Sequence, residues 1–552
     1  MVYFYVYMFE FLSILSFTLS MNLFIMKESI FLEYNLIEIN SINYKAVYLI
    51  DWSSMLFFSV ILMISGMVIM YSNKYMNSDK KMNYFIFMIV LFVSSMVLLI
   101  FSANMFSMIL GWDGLGMISF ILIIYYQSNM SLNYGFVTVM INRLGDSFLM
   151  ICMGCMLVNG LLIFKLYYKE TILLFMIIGA ITKSAQFPFS SWLPKAMAAP
   201  TPVSSLVHSS TLVTAGIYLI MRFDLINLSM FYSVVFLVVS VFTMLISSIV
   251  ASFESDLKKI IAFSTLSQLG FIMSTLLVGM KDLAFFHLLI HAYFKSMMFM
   301  SGGEIIHLLN LNQNLMFMGK LWKHMPFTSM IFLGSTMSLG GFPFMSGFFS
   351  KDLILEKFIM YKFSYFLFFM IFLSCMFTVI YSVRLILSIF YLNNKNSFFH
   401  NLKEDLDMNL SMLMNFMMSV VGGKYFFFML FFTDIIILGK IEKLLMLILI
   451  LISVCLGVIL YFNFKYLKLL KVKYMFNSLF YLDWILSMFS KLMKLVYFET
   501  NLEKMVFFLF NTFYYFSFYL YKFIYKISKF NLFFFLMVLY FFMFIILLKL
   551  YF

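Results

Sequence analysis

The chain has 552 residues, of which 64% are hydrophobic, 21% aromatic and only 11% charged, with a mean hydropathy of +1.02. That composition excludes a soluble globular domain, and the absence of strand-type alternation excludes an outer-membrane barrel, which leaves an all-α polytopic membrane protein. The net charge of +13, from 37 basic and 24 acidic side chains, belongs in loops facing phospholipid or the more negative compartment, with no nucleic-acid partner expected.

Apolar runs between polar breaks predict membrane segments near 1–24, 53–72, 82–101, 104–126, 134–163, 171–194 (broken), 203–221, 230–252, 258–279, 282–303, 325–352 (broken), 364–393, 409–438, 441–463 and 531–550. That makes about fifteen spans at about 20 residues each. The first run carries Glu10 and lacks both a basic start and a small-residue cleavage site, so a membrane segment is expected there, not a leader. Glu28 to Ile50 alternates weakly and predicts an extramembrane hairpin; Asn393 to Asp407 is polar and predicts a loop. All six prolines lie between Pro188 and Pro343, and the last glycine is Gly457. Beyond it, Lys465 to Phe530 interleaves lysines with aromatics and is too charged to span a bilayer repeatedly. A long C-terminal amphipathic helix lying along the membrane fits. If continuous it would reach roughly 100 Å; two shorter interfacial helices are the alternative.

Cofactor chemistry finds no home in this sequence. Cys152 and Cys155 form a C-x-x-C inside an apolar helix, which reads as packing, and the four cysteines are too few for iron–sulfur ligation or a disulfide framework. No G-x-G-x-x-G or G-x-x-x-x-G-K-[ST] occurs, so no nucleotide fingerprint is present. The abundance of Phe (75), Met (52) and Tyr (34), with arginine only at Arg143, Arg222 and Arg384, follows A/T-rich codons better than any demand of the bilayer. An A+T-rich organellar genome explains it.

The informative stretch is Ile181-Thr-Lys-Ser-Ala-Gln-Phe-Pro-Phe-Ser-Ser191 and its continuation to Gly216. Lys183 lies about a dozen residues into its apolar run, which is near the middle of a ~30 Å hydrocarbon layer. A charge there costs at least about 2.5 kcal/mol and requires partners or water. Pro188 cannot continue the helical ladder, so a break is expected just beyond Lys183. A broken helix beside a buried ionisable group is a common midplane ion site; the alternative is a lysine that snorkels beside a packing kink. The pentapeptide echoes as Phe342-Pro343-Phe344-Met345-Ser346, with Lys351 nearby, and predicts a second broken helix.

Other ionisable residues fall inside apolar segments. Asp113 lies mid-segment among Gly111, Gly114 and Gly116. Arg143 and Asp146 are an i,i+3 pair that either neutralises itself or supports the site. His287, His291 and Lys295 fall at i, i+4, i+8 on one helical face and can relay protons through bridging water. A metal site lacks carboxylate or thiolate company, and a static polar seam is the rival reading. His208, in the polar stripe Ser204 to Thr211, reads the same way. Lys258 lies at a segment boundary, where loop solvation competes with a functional role. His307, His324 and His400 are placed in loops.

Together these residues resemble the antiporter-like subunits of respiratory complex I and of multisubunit cation/proton antiporters. The matching stretches are Gly111-Trp-Asp-Gly-Leu-Gly116, Thr182 to Gln186 through Ala215-Gly216, Asp256 to Gly270, His287 to Lys295 and Gly347-Phe-Phe-Ser-Lys-Asp352. They cover about residues 50–395. The basic C-terminal extension is similar to the lateral helix that marks one branch of that family. The resemblance implies four regions: N-terminal helices with a short hairpin (1–103), a proton-translocating core of two inverted repeats, each with a broken helix (104–395), further membrane helices (396–463), and the lateral helix with its anchor (464–552). It implies that Asp113, usually Glu in the family, pairs with Lys183. It also implies that His208, Lys258, His287, His291 and Lys295 form a polar axis, and that Lys351 lies near the outlet. NADH, FMN, iron–sulfur clusters and ubiquinone are then expected in other subunits, with no cofactor and no metal in this chain. Partners would be the other membrane and accessory subunits and phospholipids, in the mitochondrial inner membrane. A cation/proton antiporter without a redox partner is the alternative function, and a structural spacer that has lost transport is a third.

Overall fold

The computed structural model describes residues 2–39, 42–158, 170–222, 229–309, 312–360, 364–390, 404–431 and 438–463. The expected lateral helix over Lys465 to Phe530 and the segment at 531–550 lie outside the described residues, as do His400 and most of the loop expected from Asn393.

The chain begins with helix α1 (Val2–Met26) and a hairpin, β1 (Ile30–Ile39) antiparallel to β2 (Ile42–Ile50). It continues with α2 (Trp52–Tyr75), α3 (Met82–Phe101), α4 (Met105–Ile123), α5 (Asn129–Val158), α6 (Glu170–Lys183) and α7 (Trp192–Ala196). Helix α8 (Thr201–Leu206) runs through a π-helical turn, Val207–Thr211, into α9 (Leu212–Arg222), followed by α10 (Met230–Phe253), α11 (Leu257–Leu277) and α12 (Lys281–Leu308). The last described elements are α13 (Pro326–Gly340), α14 (Ser346–Met360), α15 (Tyr365–Phe390), α16 (Leu406–Phe431) and α17 (Lys440–Asn463).

Among the described residues twelve helices, counting α8 to α9 as one, are long and apolar enough to cross a membrane. The halves α6/α7 and α13/α14 supply two further, interrupted crossings at the expected positions. Up to residue 463 every segment expected from the sequence has its counterpart. The ends differ by a few residues, most clearly at α5, expected from 134 but starting at Asn129. The polar residues discounted there are the helix start: Ser128 N donates to Ser131 Oγ and Ser131 N to Ser128 Oγ, both at 3.1 Å, which satisfies amides that open a helix.

The order of crossings carries an inversion. From α4 to α10 there are five crossings, the third being broken α6/α7. From α11 to α16 there are five more, the third being broken α13/α14. An odd number of crossings returns the chain on the opposite face, so the second group enters the membrane from the side opposite the first.

Two features hold the ends. The hairpin seats on the α3–α4 junction: Ala103 N donates to Val47 O at 2.8 Å and Asn104 Nδ2 to Lys45 O at 2.9 Å. Beside it Arg222, at the end of α9, donates to Asp51 Oδ2 at 2.8 Å ahead of α2. Within the bundle small residues let helices touch backbone to backbone, as at Gly270, where an added methyl would sit 2.9 Å from Ser240 O. Large apolar side chains such as Phe4, Tyr7 and Phe11 face outward, while Lys183, His208, His287, His291 and Lys295 are buried. A membrane protein places its ionisable groups in the bundle interior for this reason, since lipid offers them no partner.

Candidate functional site

The first broken helix ends on the residue that singled it out. Lys183 is the last residue of α6 and is fully buried. A helix C-terminus carries partial negative charge on its unpaired carbonyls, which suits a cation. The break that follows is stitched by polar contacts: Trp192 Nε1 donates to Thr182 O at 3.0 Å, and Thr243 Oγ1 on α10 donates to Gln186 Oε1 at 2.5 Å.

The expected Asp113–Lys183 pair is not made. Lys183 Nζ instead donates to Trp112 O at 2.6 Å and lies 3.7 Å above the centre of the Trp112 indole, a cation–π geometry. The indole Nε1 donates to Asp146 Oδ1 at 2.9 Å, and Asp146 Oδ2 accepts from Arg143 at 3.2 Å. Asp113 faces Arg143 at 3.8 Å. Asp113, one residue past Trp112 on α4, is 41% exposed and paired with Arg143, whereas Asp146 on α5 reaches the lysine's neighbourhood through the indole. Arg143 and Asp146, weighed as a self-neutralising pair, thereby join the site, and Trp112, which sequence reasoning missed, joins Lys183 to them.

His208 sits in the π-helical turn, fully buried, with both ring nitrogens lacking a hydrogen-bond partner among the described residues. The Trp192 indole lies edge-on at 6.3 Å, between the break and the histidine. A π turn holds one extra residue and re-aims the side chains around it, a frequent device at functional sites.

On α12 the i, i+4, i+8 spacing yields one buried file. Lys295 Nζ donates to Ser264 Oγ at 2.5 Å on α11. The His291 ring nitrogens have no partner among the described residues, and its ring lies 6.5 Å from that of His287. His287 is held on both sides, Nδ1 at 2.8 Å from Ser350 Oγ and Nε2 at 3.1 Å from Gln268 Oε1. Ser350 precedes Lys351 on α14, whose Nζ donates to Thr378 Oγ1 at 2.8 Å. The file therefore runs from α12 to the second broken helix. There Gly341, with φ of +76°, ends α13, and an added Cβ would meet Lys351 Cδ at 3.3 Å. The glycine serves both the left-handed turn and the room for the lysine stem. Gly340, Lys351, Asp352, Cys375 and Ser453 line a cavity at this point, of about 30 Å³, enough for about one or two waters.

Lys258 is not brought into this midplane file. It lies at the start of α11, buried and not solvated, with Nζ donating to Ala199 O at 3.4 Å. His307 belongs to the last turn of α12 and not to a loop; its ring lies 5.1 Å from Tyr75. Ser264, Gln268 and Ser350 lie inside the matching stretches, but nothing in their spacing marks them as partners of the file, and Thr378 carries no signal, since isolated serines and threonines are common in membrane helices. Glu304 was also missed. It stands in a Gly-Gly-Glu run near the end of α12, 1% exposed. Among the described residues no group of three or more His, Cys, Asp and Glu side chains has the arrangement of a metal site.

Five-crossing units in opposite orientation, each with a broken helix beside a buried lysine, and a file of buried ionisable groups on α12 define an antiporter-like membrane module. Residues 102–378 match the family described as NADH:quinone oxidoreductase/Mrp antiporter, and residues 36–86 match the NADH-ubiquinone oxidoreductase (complex I) chain 5 N-terminus. NADH-ubiquinone oxidoreductase chain 5 of Anopheles gambiae is 43% identical over 444 residues, covering 79% of this chain and 77% of that one. The chain 5 of Lumbricus terrestris is 42% identical over 400 residues, covering 72% and 70%. The chain belongs to the NADH-ubiquinone oxidoreductase chain 5 family. In fold it is similar to a chain of the Mrp complex from Dietzia sp. DQ12-45-1b, with a TM-score of 0.73 and 21% identity over 91% of this chain and 58% of that one.

Proposed function

We propose that this multi-pass protein is a proton-translocating membrane subunit of NADH:ubiquinone oxidoreductase, respiratory complex I, and that protons pass along Lys183, His208, Lys295, His291, His287 and Lys351. The observation that carries the reading is the buried file on α12, which reaches the second broken helix through His287 and Ser350 beside Lys351, together with Lys183 buried at the end of the first. Bridging water and hydroxyls such as Ser264 and Ser350 are the means of passage. Hydride and electron transfer belong to other subunits, where NADH, FMN, iron–sulfur clusters and ubiquinone would be held. The A/T-codon composition and the chain 5 relatives support a location in the mitochondrial inner membrane. Lys258, outside the midplane file, is assigned to its access at the α11 end.

In this reading Lys183 is the input. Its ammonium is held by the Trp112 carbonyl and ring, and Asp146 is bound to the same indole. A rearrangement that draws Asp146 off the Trp112 indole, leaving it on Arg143 alone, weakens that hold, and the proton moves on. At low dielectric a shift of a few ångströms in one charge changes such an energy by several kcal/mol. Asp113 and Arg143 are 41% and 47% exposed, and both lie inside membrane-crossing helices. Lipid is a costly neighbour for such charges, so this α4–α5 face is where an adjoining membrane subunit would cover them and couple to Lys183.

The alternative, a cation/proton antiporter subunit, draws on the fold likeness to the Mrp chain. Purification separates the two: a complex I subunit co-purifies with NADH-linked quinone reduction, whereas an antiporter subunit carries none. Within that complex Lys295→Met should lower proton translocation together with turnover. Unchanged translocation in this variant at normal assembly would leave the file a static polar seam.

A further inference from the structure

We propose that Glu304 is a proton-loading carboxyl at the mouth of a second access branch, opening on the membrane face where α12 ends and α8 begins, and leading along α8 to His208. The inference rests on the translocation reading above but adds a group outside it.

Three buried oxygen-bearing side chains meet at this point from three helices. Glu304 of α12, Tyr71 of α2 and Thr201 of α8 are each at most 1% exposed. Both Glu304 carboxylate oxygens, the Tyr71 hydroxyl and the Thr201 hydroxyl lack a hydrogen-bond partner of normal geometry among the described residues. Gly303 brings them together: a Cβ there would lie 2.7 Å from Tyr71 Oη and 2.8 Å from Thr201 Oγ1. Among the described residues the charged and titratable groups around Glu304 are few. Tyr71 and Tyr75 stack at 5.7 Å on α2, and His307 follows on α12 itself. Glu404 and Asp405 precede α16 and act on Glu304 as like charges, the Asp405 backbone amide being close to it. Lys74 is taken up by Asp407 at 3.4 Å, and Lys258 by the Ala199 carbonyl. Among the described residues Glu304 has acidic neighbours and no cation paired with it, and a buried charge so placed is costly.

The way inward is also built. Thr201, Ser204, Ser205 and His208 fall at i, i+3, i+4 and i+7, one face of a helix. They span about 10 Å, and all four are buried. Outward, Asp405 is exposed. A proton taken up at Asp405 would pass to the Glu304 carboxylate. Its transfer to a free ring nitrogen of His208 leaves a carboxylate and an imidazolium, opposite charges that attract until the histidine passes its proton to the file.

The test uses the intact complex in sealed vesicles, with Glu304→Gln, Glu304→Asp and Lys183→Met at matched assembly. The infrared spectrum of the wild type should contain the carbonyl stretch of a protonated carboxylic acid that Glu304→Gln removes. Glu304→Gln should pump fewer protons per NADH oxidised and shift the pH profile of pumping, with partial recovery in Glu304→Asp. If Lys183→Met abolishes pumping while Glu304→Gln pumps with a normal yield and pH profile, the branch is overturned and the main file stands. If Lys183→Met itself pumps normally, the translocation reading falls with it. Absence of the carboxylic acid band also overturns the proposal.

Discussion

The two broken helices share a motif and differ in what surrounds the lysine. In the first, Lys183 ends α6 before the break and is held by the carbonyl and ring of Trp112, with Asp146 and Arg143 beyond the indole. In the second, Lys351 follows the break on α14 and is held by one hydroxyl, Thr378, beside a small cavity. The first lysine is set in a field of charges reaching an exposed face, which suits a group that must respond to a neighbour. The second has a neutral partner and room for water, which suits a group that releases. One repeated scaffold thus yields two ends with different electrostatics, and the α12 file reaches the second of them.

The largest expected effect concerns the first break. Lys183→Met removes the group that the charges act on, and translocation should fall to background. Lys351→Met should block release and lower turnover as well, because a coupled pump with a closed outlet stalls; normal turnover there would erase the distinction between the two ends. Next comes Asp146→Asn, expected to impair pumping more than Asp113→Asn, since Asp146 reaches Lys183 through Trp112. Proton-to-electron ratios in the two variants decide this, and the reverse order would restore Asp113 as the direct partner.

A smaller effect, on stability, probes the packing of the second break. Gly347→Ala would put a methyl 1.8 Å from Ser338 O, forcing α14 off α13 at a cost of about 1–3 kcal/mol. Gly154→Ala meets nothing within 4 Å. Thermal inactivation of the assembled complex should separate the two variants, and equal midpoints would show that α14 packs less tightly. Smallest of all is Lys259→Met, which removes an ion pair with Asp256 at 2.9 Å on a half-exposed side chain, worth at most about 1 kcal/mol. Pumping should be unchanged.

Helices and breaks were legible because the bilayer imposes a length and proline imposes an interruption. The α12 file was legible because its spacing is that of one helical face. Contacts between helices were less so. The pairing of Asp113 with Lys183 fitted the family pattern, but only the packing of α4 decides that Trp112 meets the lysine while Asp113 meets Arg143. Lys258 looked like a boundary residue and is one in sequence, yet packing against Ala199 buries it. Glu304 gave no periodic signal, because its companions Tyr71 and Thr201 come from helices far away in the chain.

The central claim is that a proton must reside on Lys183 for translocation to proceed. It is tested most directly in vesicles of the assembled complex carrying Lys183→Met, with the pH gradient and NADH-linked quinone reduction recorded together at matched subunit content. The account predicts no gradient above that of an uncoupled control, with the redox centres still reducible by NADH. A gradient of wild-type size at wild-type turnover would contradict it.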